Sequence, residues 1–166
     1  MLYNIDMDKT VLAYIKKDGK YLMLFRNKKK VDINKGKWIG IGGHLEKDES
    51  KEQALVREIK EETGLDILHY VYRGELLFVN NDFQEIMYLY LVDEVSGDLI
   101  ECDEGELAWI KENDLMSLNM WEGDYKFLPL LINTDKFIRL ELRYSDDQLV
   151  EVKEWSTGYE TREISH

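Results

Sequence analysis

The chain has 166 residues, of which 44% are hydrophobic, and its formal net charge is -12. This hydrophobic content excludes an intrinsically disordered chain, and the acidic balance argues against a protein that binds nucleic-acid polymers or membrane surfaces, because both attract basic surfaces. The length predicts one domain over residues 1–166.

The N-terminal segments predict a β-hairpin. Asp18-Gly19 is a typical hairpin turn, and it separates two apolar, β-prone runs, TVLAYI and KYLMLF. A long polar loop follows over residues 27–37, and basic residues predominate from 16 to 37. This basic segment is either a solvated surface or a rim that attracts a small anion.

A helix is predicted to begin after Ser50 and to end at about Thr63. Ser50 and Gln53 form a capping-box pattern, and Gly64 supplies the left-handed residue that ends many helices. The residues expected on its apolar face are Leu55, Val56 and Ile59.

The rest of the chain predicts further strands and one later helix. The predicted strands are ILHYVYRGELLFV, EIMYLYLVDEV and ELAWI. The segment SLNMWEGDYKFLPLLI is expected to end in a short helix, and KFIRLELRY and QLVEVKE to form a closing hairpin. This order predicts an α/β (α+β) domain in which helices pack on a sheet.

The single cysteine, Cys102, excludes an internal disulfide and indicates a reducing compartment. We expect it to be a small buried or partly buried residue and not a nucleophile, because no histidine pairing accompanies it. No apolar run approaches the roughly 18 residues of a membrane span, and the N-terminal segment is not typical of a signal peptide. The predicted location is the cytoplasm.

Three glutamates, Glu58, Glu61 and Glu62, share one face of the predicted central helix. Like charges at this spacing repel by a few tenths of a kcal/mol per pair, so the face is either solvated or the site of a cation. Residues 43–65, GHLEKDESKEQALVREIKEETGL, resemble the Nudix box. That pattern is Gly, five residues, Glu, seven residues, Arg-Glu, an aliphatic, any residue, Glu-Glu, any residue, Gly and an aliphatic, and every specified position matches.

The resemblance implies the Nudix fold, a mixed β-sheet sandwiched between helices. It also implies that Glu58, Glu61 and Glu62 bind Mg²⁺, for which Mn²⁺ can substitute, with help from the carbonyl of Gly43. In the implied reaction, a metal-polarised water attacks a phosphorus atom of a nucleoside diphosphate linked to another group, and a carboxylate takes up the proton. Glu58 and Glu61 are the candidates within the box for a catalytic carboxylate.

Two more residues of the box have implied roles. Arg57 is expected to orient a glutamate by ion pairing, as part of the catalytic group. The alternative is a surface pair between Arg57 and Glu61, four positions on, which contributes little to stability. Glu49 is expected to stabilise the turn between the loop and the helix.

Four segments outside the box resemble the MutT-like group of this family, whose members hydrolyse oxidised purine deoxynucleoside triphosphates to the monophosphate and pyrophosphate. They are LMLFRNKKK at 22–30, GKWIGIGGHLE at 36–46, GDLIECDEGELAWI at 97–110 and MWEGDYKFLPLL at 120–131. By position, Arg26 is implied at the phosphate or sugar side of the site, or it is a basic residue that ends a strand. Glu104 is implied as a further metal-binding and catalytic acid that approaches the metals or the water, or it is a loop acid.

Trp121 and Asp124 resemble the pair that reads the base in this group. An indole offers a stacking face for a purine, and a carboxyl group can bond to a purine edge. Trp121 could instead be a core aromatic, and Asp124 could cap the following helix, alone or in addition. The mammalian member has two adjacent acids where this chain has Gly123-Asp124, and an asparagine where it has Ile39, which favours oxidised guanine over oxidised adenine as substrate.

The sequence therefore predicts a Mg²⁺-dependent pyrophosphohydrolase of oxidised purine nucleoside triphosphates, with 8-oxo-dGTP as the preferred substrate. Within the same class, other substrates are open, such as ordinary nucleoside triphosphates or nucleotide sugars. A nucleotide sensor without catalysis is the alternative from another class, and the complete box argues against it. The expected partner is a small nucleotide and not a nucleic-acid polymer or a membrane, and the protein is expected to be a monomer or a homodimer.

Overall fold

The computed structural model describes residues 7–155, together with the backbone of residues 161–163. In this part of the chain all strands belong to one sheet. The strands are β1 Asp8–Lys17, β2 Lys20–Arg26, β3 Trp38–Ile39, β4 Ile41–His44, β5 Asp66–Asn80, β6 Phe83–Ser96, β7 Gly105–Lys111, β8 Ile138–Ser145, β9 Gln148–Trp155 and β10 Thr161–Glu163. The helices are α1 Lys51–Thr63, α2 Glu112–Leu115 and α3 Asp124–Asn133.

The sheet is mixed, with the order β10-β9-β8-β5-β6-β1-β2-β3. Strand β1 pairs in antiparallel with β2 and β4 but in parallel with β6, and β5 pairs in parallel with β8. The predicted N-terminal hairpin is confirmed, and its turn residues have positive φ angles, 52° at Asp18 and 74° at Gly19. The closing hairpin of β8 and β9 is confirmed as well.

Both faces of the sheet carry apolar side chains, because successive residues of a strand point to opposite faces. In β1, Val11, Ala13 and Ile15 face the helix α1, whereas Tyr14 belongs to the core that includes α3. The sheet thus lies between α1 on one face and α2 and α3 on the other, which confirms the predicted fold class. Among the described residues, no helix is long and apolar enough to cross a membrane.

Helix α1 begins and ends as predicted. The capping box of Ser50 and Gln53 is present, and Gly64 adopts a φ of 81° after the last turn. The predicted apolar face is wrong at Val56, which is 53% exposed. Because Val56 lies about 100° round the helix from the buried Leu55, it points away from the sheet. Ala54 takes its place in the core.

Helix α3 is held at its C-terminal end by a buried arginine. The guanidinium of Arg73 donates to the backbone oxygens of Leu131 at 2.9 Å and Thr134 at 2.8 Å. These carbonyls have no partner within the helix, so Arg73 fixes the end of α3 against β5. At the other end, Asp124 is the first helical residue and makes no capping bond, so the prediction that it caps α3 is wrong.

Candidate active site

One cavity of about 830 Å³ brings together most of the predicted site residues. Those in its lining are Arg26, Gly43, Arg57, Glu58, Glu62, Glu104, Trp121 and Asp124. Glu61 is the exception, because it is absent from the lining. Its side chain is 60% exposed and pairs with Arg57. Two contact clusters thus share the cavity: a charged end, defined by the ion pairs of Arg26, Arg57, Glu58 and Glu104, and an aromatic wall around Trp121, with Asp124 beside it.

Close backbone contact between β4 and its neighbours shapes the charged end. A Cβ atom at position 43 would lie 2.5 Å from the carboxyl carbon of Glu58, and one at position 42 would lie 1.9 Å from the carbonyl oxygen of Val11. Position 42 therefore requires glycine because the obstacle is backbone, and at position 43 a larger residue would displace the Glu58 carboxylate. Helix α1 can therefore bring the Glu58 carboxylate directly against Gly43.

Arg57 connects the loop before α1 with the acids on the helix. It donates to Glu49 from Nε at 2.7 Å and from Nη2 at 2.8 Å, and to Glu58 from Nη1 at 2.8 Å. Its contact with Glu61, at 3.2 Å, is longer than these three. Bonds from Arg57 and from the Glu46 backbone lower the pKa of Glu49 to about 2, so Glu49 is ionised at neutral pH. Arg57 is thus the centre of a network and more than a surface pair.

Glu62 and Glu104 are neighbouring acids in the lining of the cavity. Burial raises the pKa of Glu62, and the neighbouring Glu104 and Glu58 raise it further. Burial also acts on Glu104, but its hydrogen bond with Glu62 and the nearby Lys29 and Arg26 lower the pKa of Glu104 below its ordinary value. Of the two acids, Glu62 is therefore the one whose neutral form its surroundings favour.

The basic loop contributes the cations of the rim. Arg26 pairs with Asp32 at 2.8 Å and with Glu104 at 3.3 Å, and Lys29 pairs with Glu104 at 2.9 Å. Arg26 ends strand β2, as one of the two alternatives predicted, and it also lines the cavity. Its place at the phosphate or sugar side of a substrate stays a prediction. These two side chains bring positive charge to the acidic end of the cavity.

The donor set suits a hard divalent cation, although the described part of the chain contains no group of three or more His, Cys, Asp and Glu side chains already arranged to hold one. Carboxylate oxygens of Glu58, Glu62 and Glu104 face one cavity, and Mg²⁺ prefers oxygen ligands. Burial and the neighbouring acids favour the neutral form of Glu62, whereas a cation beside it would favour the ionised form. The residues therefore fit a metal ion in chemistry, with a rearrangement of side chains on binding.

Aromatic rings form another part of the wall. Trp121 is only 8% exposed and meets Phe78 and Tyr144 edge to face, with centroids 5.5 Å and 5.3 Å away. Its indole N–H donates to Asn34 at 2.7 Å, and the ammonium of Lys37 lies 5.2 Å from the ring. Trp121 is thus a core aromatic and a wall of the cavity at once.

Asp124 lies beside this aromatic wall. Burial raises its pKa to about 7, against the lowering effects of a hydrogen bond with the Trp121 backbone and of Lys37. An acid with this pKa can be present in both forms near neutral pH, so it can accept or donate a hydrogen bond.

Sequence reasoning missed several residues of the cavity. Thr10 and Glu85 are polar side chains at positions of apolar strands that face the cavity, and Thr10 donates to Glu85 at 2.6 Å. Burial raises the pKa of Glu85, while Thr10 and His44 lower it. The sequence signal for both residues was a polar side chain within an otherwise apolar strand, which indicates a position that faces a cavity. The prediction that Cys102 is buried is confirmed, with 4% exposure.

Comparisons with known proteins agree on the family. A model of the NUDIX domain matches residues 8–131. An oxidized purine nucleoside triphosphate hydrolase of Danio rerio is 30% identical over 127 residues, which are 75% of this chain and 81% of that protein. A CTP pyrophosphohydrolase of Escherichia coli is 43% identical over 131 residues, 75% of this chain and 89% of that protein.

The fold has solved counterparts. The crystal structure of the mutator MutT protein from Bacillus halodurans matches 88% of this chain and 96% of its own, with a TM-score of 0.81 and 22% identity. At this identity the likeness concerns the fold alone. With the match to the domain model, the complete box and the acids that it brings into one cavity, the chain belongs to the Nudix hydrolase family.

Proposed function

We propose that this Nudix hydrolase converts an oxidised purine nucleoside triphosphate, with 8-oxo-dGTP preferred, to the monophosphate and pyrophosphate, and so cleanses the nucleotide pool. The observation that carries this proposal is one cavity with charged groups for a triphosphate and an aromatic wall for a large base. The relative from Danio rerio, named an oxidized purine nucleoside triphosphate hydrolase, supports the same substrate.

At the charged end, Glu58, Glu61, Glu62 and Glu104, with the carbonyl of Gly43, would hold Mg²⁺ or Mn²⁺. The metal would supply positive charge that activates water and offsets the charge of the phosphates. Arg57 keeps Glu58 in place by a 2.8 Å bond. A carboxylate among Glu58, Glu61 and Glu104 accepts the proton of the attacking water. Arg26, already at the rim, binds the phosphate or sugar side of the substrate.

At the aromatic wall, Trp121 stacks on the purine and Asp124 bonds to its edge. Stacking discriminates little between bases, because every base offers a π-face. It therefore contributes more to affinity than to base specificity. The partly buried carboxyl of Asp124 supplies the directional contact. Its pKa of about 7 suits it to bond with either a donor or an acceptor of the base.

A second candidate is an ordinary nucleoside triphosphate, with CTP as the first example. It is favoured by the Escherichia coli CTP pyrophosphohydrolase, which is 43% identical over 131 residues. The large aromatic wall argues for a purine instead, because a pyrimidine would cover less of the Trp121 ring.

Initial rates of Mg²⁺-dependent pyrophosphate release from 8-oxo-dGTP, dGTP and CTP test the proposal, with Glu58→Gln as the blank. We expect kcat/KM for 8-oxo-dGTP to exceed the others by at least about tenfold, which corresponds to roughly 1.4 kcal/mol. A preference for CTP would establish the second candidate. Equal rates on all three would contradict the assignment of Trp121 and Asp124 to base recognition.

A further inference from the structure

The parallel pair of β1 and β6 places a polar cluster in the floor of the cavity. Asp8 lies opposite Glu85, and Thr10 opposite Met87, in the register of these strands. The Thr10 hydroxyl donates to Oε2 of Glu85 at 2.6 Å, and all four side chains line the cavity. Their positions follow from long-range strand pairing, and none of them belongs to the Nudix box.

Glu85 lies close to the aromatic wall. Phe78 on β5 pairs with Glu85 on β6, and the ring of Phe78 contacts Trp121 with centroids 5.5 Å apart. One aromatic residue thus separates Glu85 from the indole proposed to stack on the base. A nucleoside held against Trp121 would lie within reach of the cavity floor where Glu85 is found.

The hydrogen bonding of Glu85 leaves it with a free acceptor. Among the residues that the structure describes, Oε1 of Glu85 has no hydrogen-bond partner, whereas Oε2 accepts from Thr10. The 2.6 Å distance lies within the range of hydrogen bonds from hydroxyls to carboxyl oxygens. Nε2 of His44 lies 3.4 Å from Oδ2 of Asp8 nearby. An acceptor in a partly buried cavity costs free energy unless a donor reaches it.

We propose that Glu85, held in place by Thr10, is a further specificity-determining residue that accepts a hydrogen bond from the nucleoside part of the substrate. This inference rests on the proposed function and extends it to a second wall of the same cavity. Three groups of 8-oxo-dGTP could supply the donor. They are the N7–H that oxidation creates where guanine has an acceptor, the 2-amino group and the sugar hydroxyl.

Glu85→Gln inverts the polarity of this contact with little change in shape. The amide oxygen can keep the Thr10 hydroxyl as its donor, which turns the NH₂ group towards the cavity. A substrate donor then meets a donor and loses its bond, while a substrate acceptor at the same place gains one. Selectivity therefore changes more than turnover, which distinguishes this role from a structural one.

The experiment measures kcat/KM of wild type and Glu85→Gln on three substrate pairs. The pairs are 8-oxo-dGTP with dGTP, which lacks the N7–H, with 8-oxo-dITP, which lacks the 2-amino group, and with 8-oxo-2′,3′-dideoxy-GTP, which lacks the sugar hydroxyl. Metal-free binding of 8-oxo-dGMP, measured by calorimetry in EDTA, adds a readout besides activity. The matched control is Glu75→Gln, because Glu75 also accepts a hydroxyl, from Tyr72 at 2.8 Å, but lies outside the cavity lining.

We expect one of the three ratios to fall by about tenfold or more in Glu85→Gln, together with weaker binding of 8-oxo-dGMP, and none to change in Glu75→Gln. The pair that changes identifies the donor. Three ratios within about threefold of wild type, or unchanged binding, would overturn the inference. If Glu85→Gln does not fold, Thr10→Val serves instead, since it frees the carboxylate and should reduce the same ratio. Wild-type protein that neither binds 8-oxo-dGMP nor hydrolyses 8-oxo-dGTP would refute the proposed function itself, and this inference with it.

Discussion

Arg57 holds Glu49 through two parallel hydrogen bonds, Nε to Oε2 at 2.7 Å and Nη2 to Oε1 at 2.8 Å. The same guanidinium reaches Glu58, one position on in α1. A single planar cation therefore connects the loop that precedes the helix with a carboxylate that lines the cavity. The rigidity of this connection gives the acids of α1 a fixed direction.

Arg57→Lys is expected to lower turnover by at least about tenfold. A lysine ammonium cannot make the paired bonds to Glu49 and still reach Glu58, so the Glu58 carboxylate would lose its orientation. The measurement is kcat under saturating substrate, with thermal unfolding as a check of the fold. Arg143→Lys, which alters the contact with Glu141 on another part of the sheet, is the control. Full activity of folded Arg57→Lys would show that the network is structural only.

Glu62→Gln is expected to lower turnover without lowering the stability of the metal-free protein. Because Glu62 is buried beside Glu104 and Glu58, a neutral amide should leave the metal-free protein as stable as wild type or more so. Turnover should fall by at least about 10²-fold, since a metal-binding charge is lost. Thermal unfolding in EDTA and in Mg²⁺ measures both effects, because Mg²⁺ should raise the Tm of wild type more than that of the variant.

Glu61→Gln is the exposed counterpart of that substitution. It should also reduce turnover by at least about 10²-fold, but without a gain in metal-free stability, because its side chain is 60% exposed. Near-wild-type turnover in either variant would remove that position from the metal site.

Trp121→Ala is expected to weaken the preference for the oxidised base by about 1–3 kcal/mol if stacking dominates. The substitution also empties a core position, so Trp121→Phe is the companion variant that keeps a ring while it loses the bond to Asn34. The ratio of kcat/KM for 8-oxo-dGTP and dGTP measures the effect. An unchanged ratio in folded Trp121→Ala would leave Trp121 with its core role alone.

Asp124→Asn is expected to change the pH dependence of stability. The pKa of Asp124 is raised from 3.8 to about 7 in the fold, so its contribution is fully present below the unfolded pKa and is lost as pH rises through about 7. The free energy of unfolding of Asp124→Asn, relative to wild type, should therefore increase between about pH 4 and about pH 7 and then level off. Urea unfolding across this range measures it, and parallel profiles for the two proteins would contradict the expectation.

Local signals were enough to predict α1 and its caps. Ser50, Gln53 and Gly64 lie next to the residues they affect, so their roles follow from short-range geometry. The apolar face was wrong at Val56, since the direction of a helix on a sheet depends on packing that periodicity alone does not determine. Strands β3 and β4 and the short α2 were not predicted, because glycines and very short length weaken the sequence pattern.

The candidate site was predicted where a contiguous pattern carries it. Residues 43–65 are contiguous in the sequence. Four residues that this pattern predicted for the site, Gly43, Arg57, Glu58 and Glu62, line the cavity. Glu85 and Thr10 were missed because parallel pairing of distant strands brings them together, and no local spacing encodes that contact.

The parallel pairing of β1 with β6 also sets the order in which the molecule is completed during synthesis. Thr10 and Glu85, partners in the cavity floor, are 75 positions apart in the chain. Contacts of this separation form slowly, because a long loop must close before they are made. A nascent chain that ends before β6 already carries the whole Nudix box, yet β1 then lacks its parallel neighbour and Glu85 is missing from the cavity floor. The lining of the cavity is therefore complete only after the ribosome has released β6 and the later segments that carry Glu104 and Trp121.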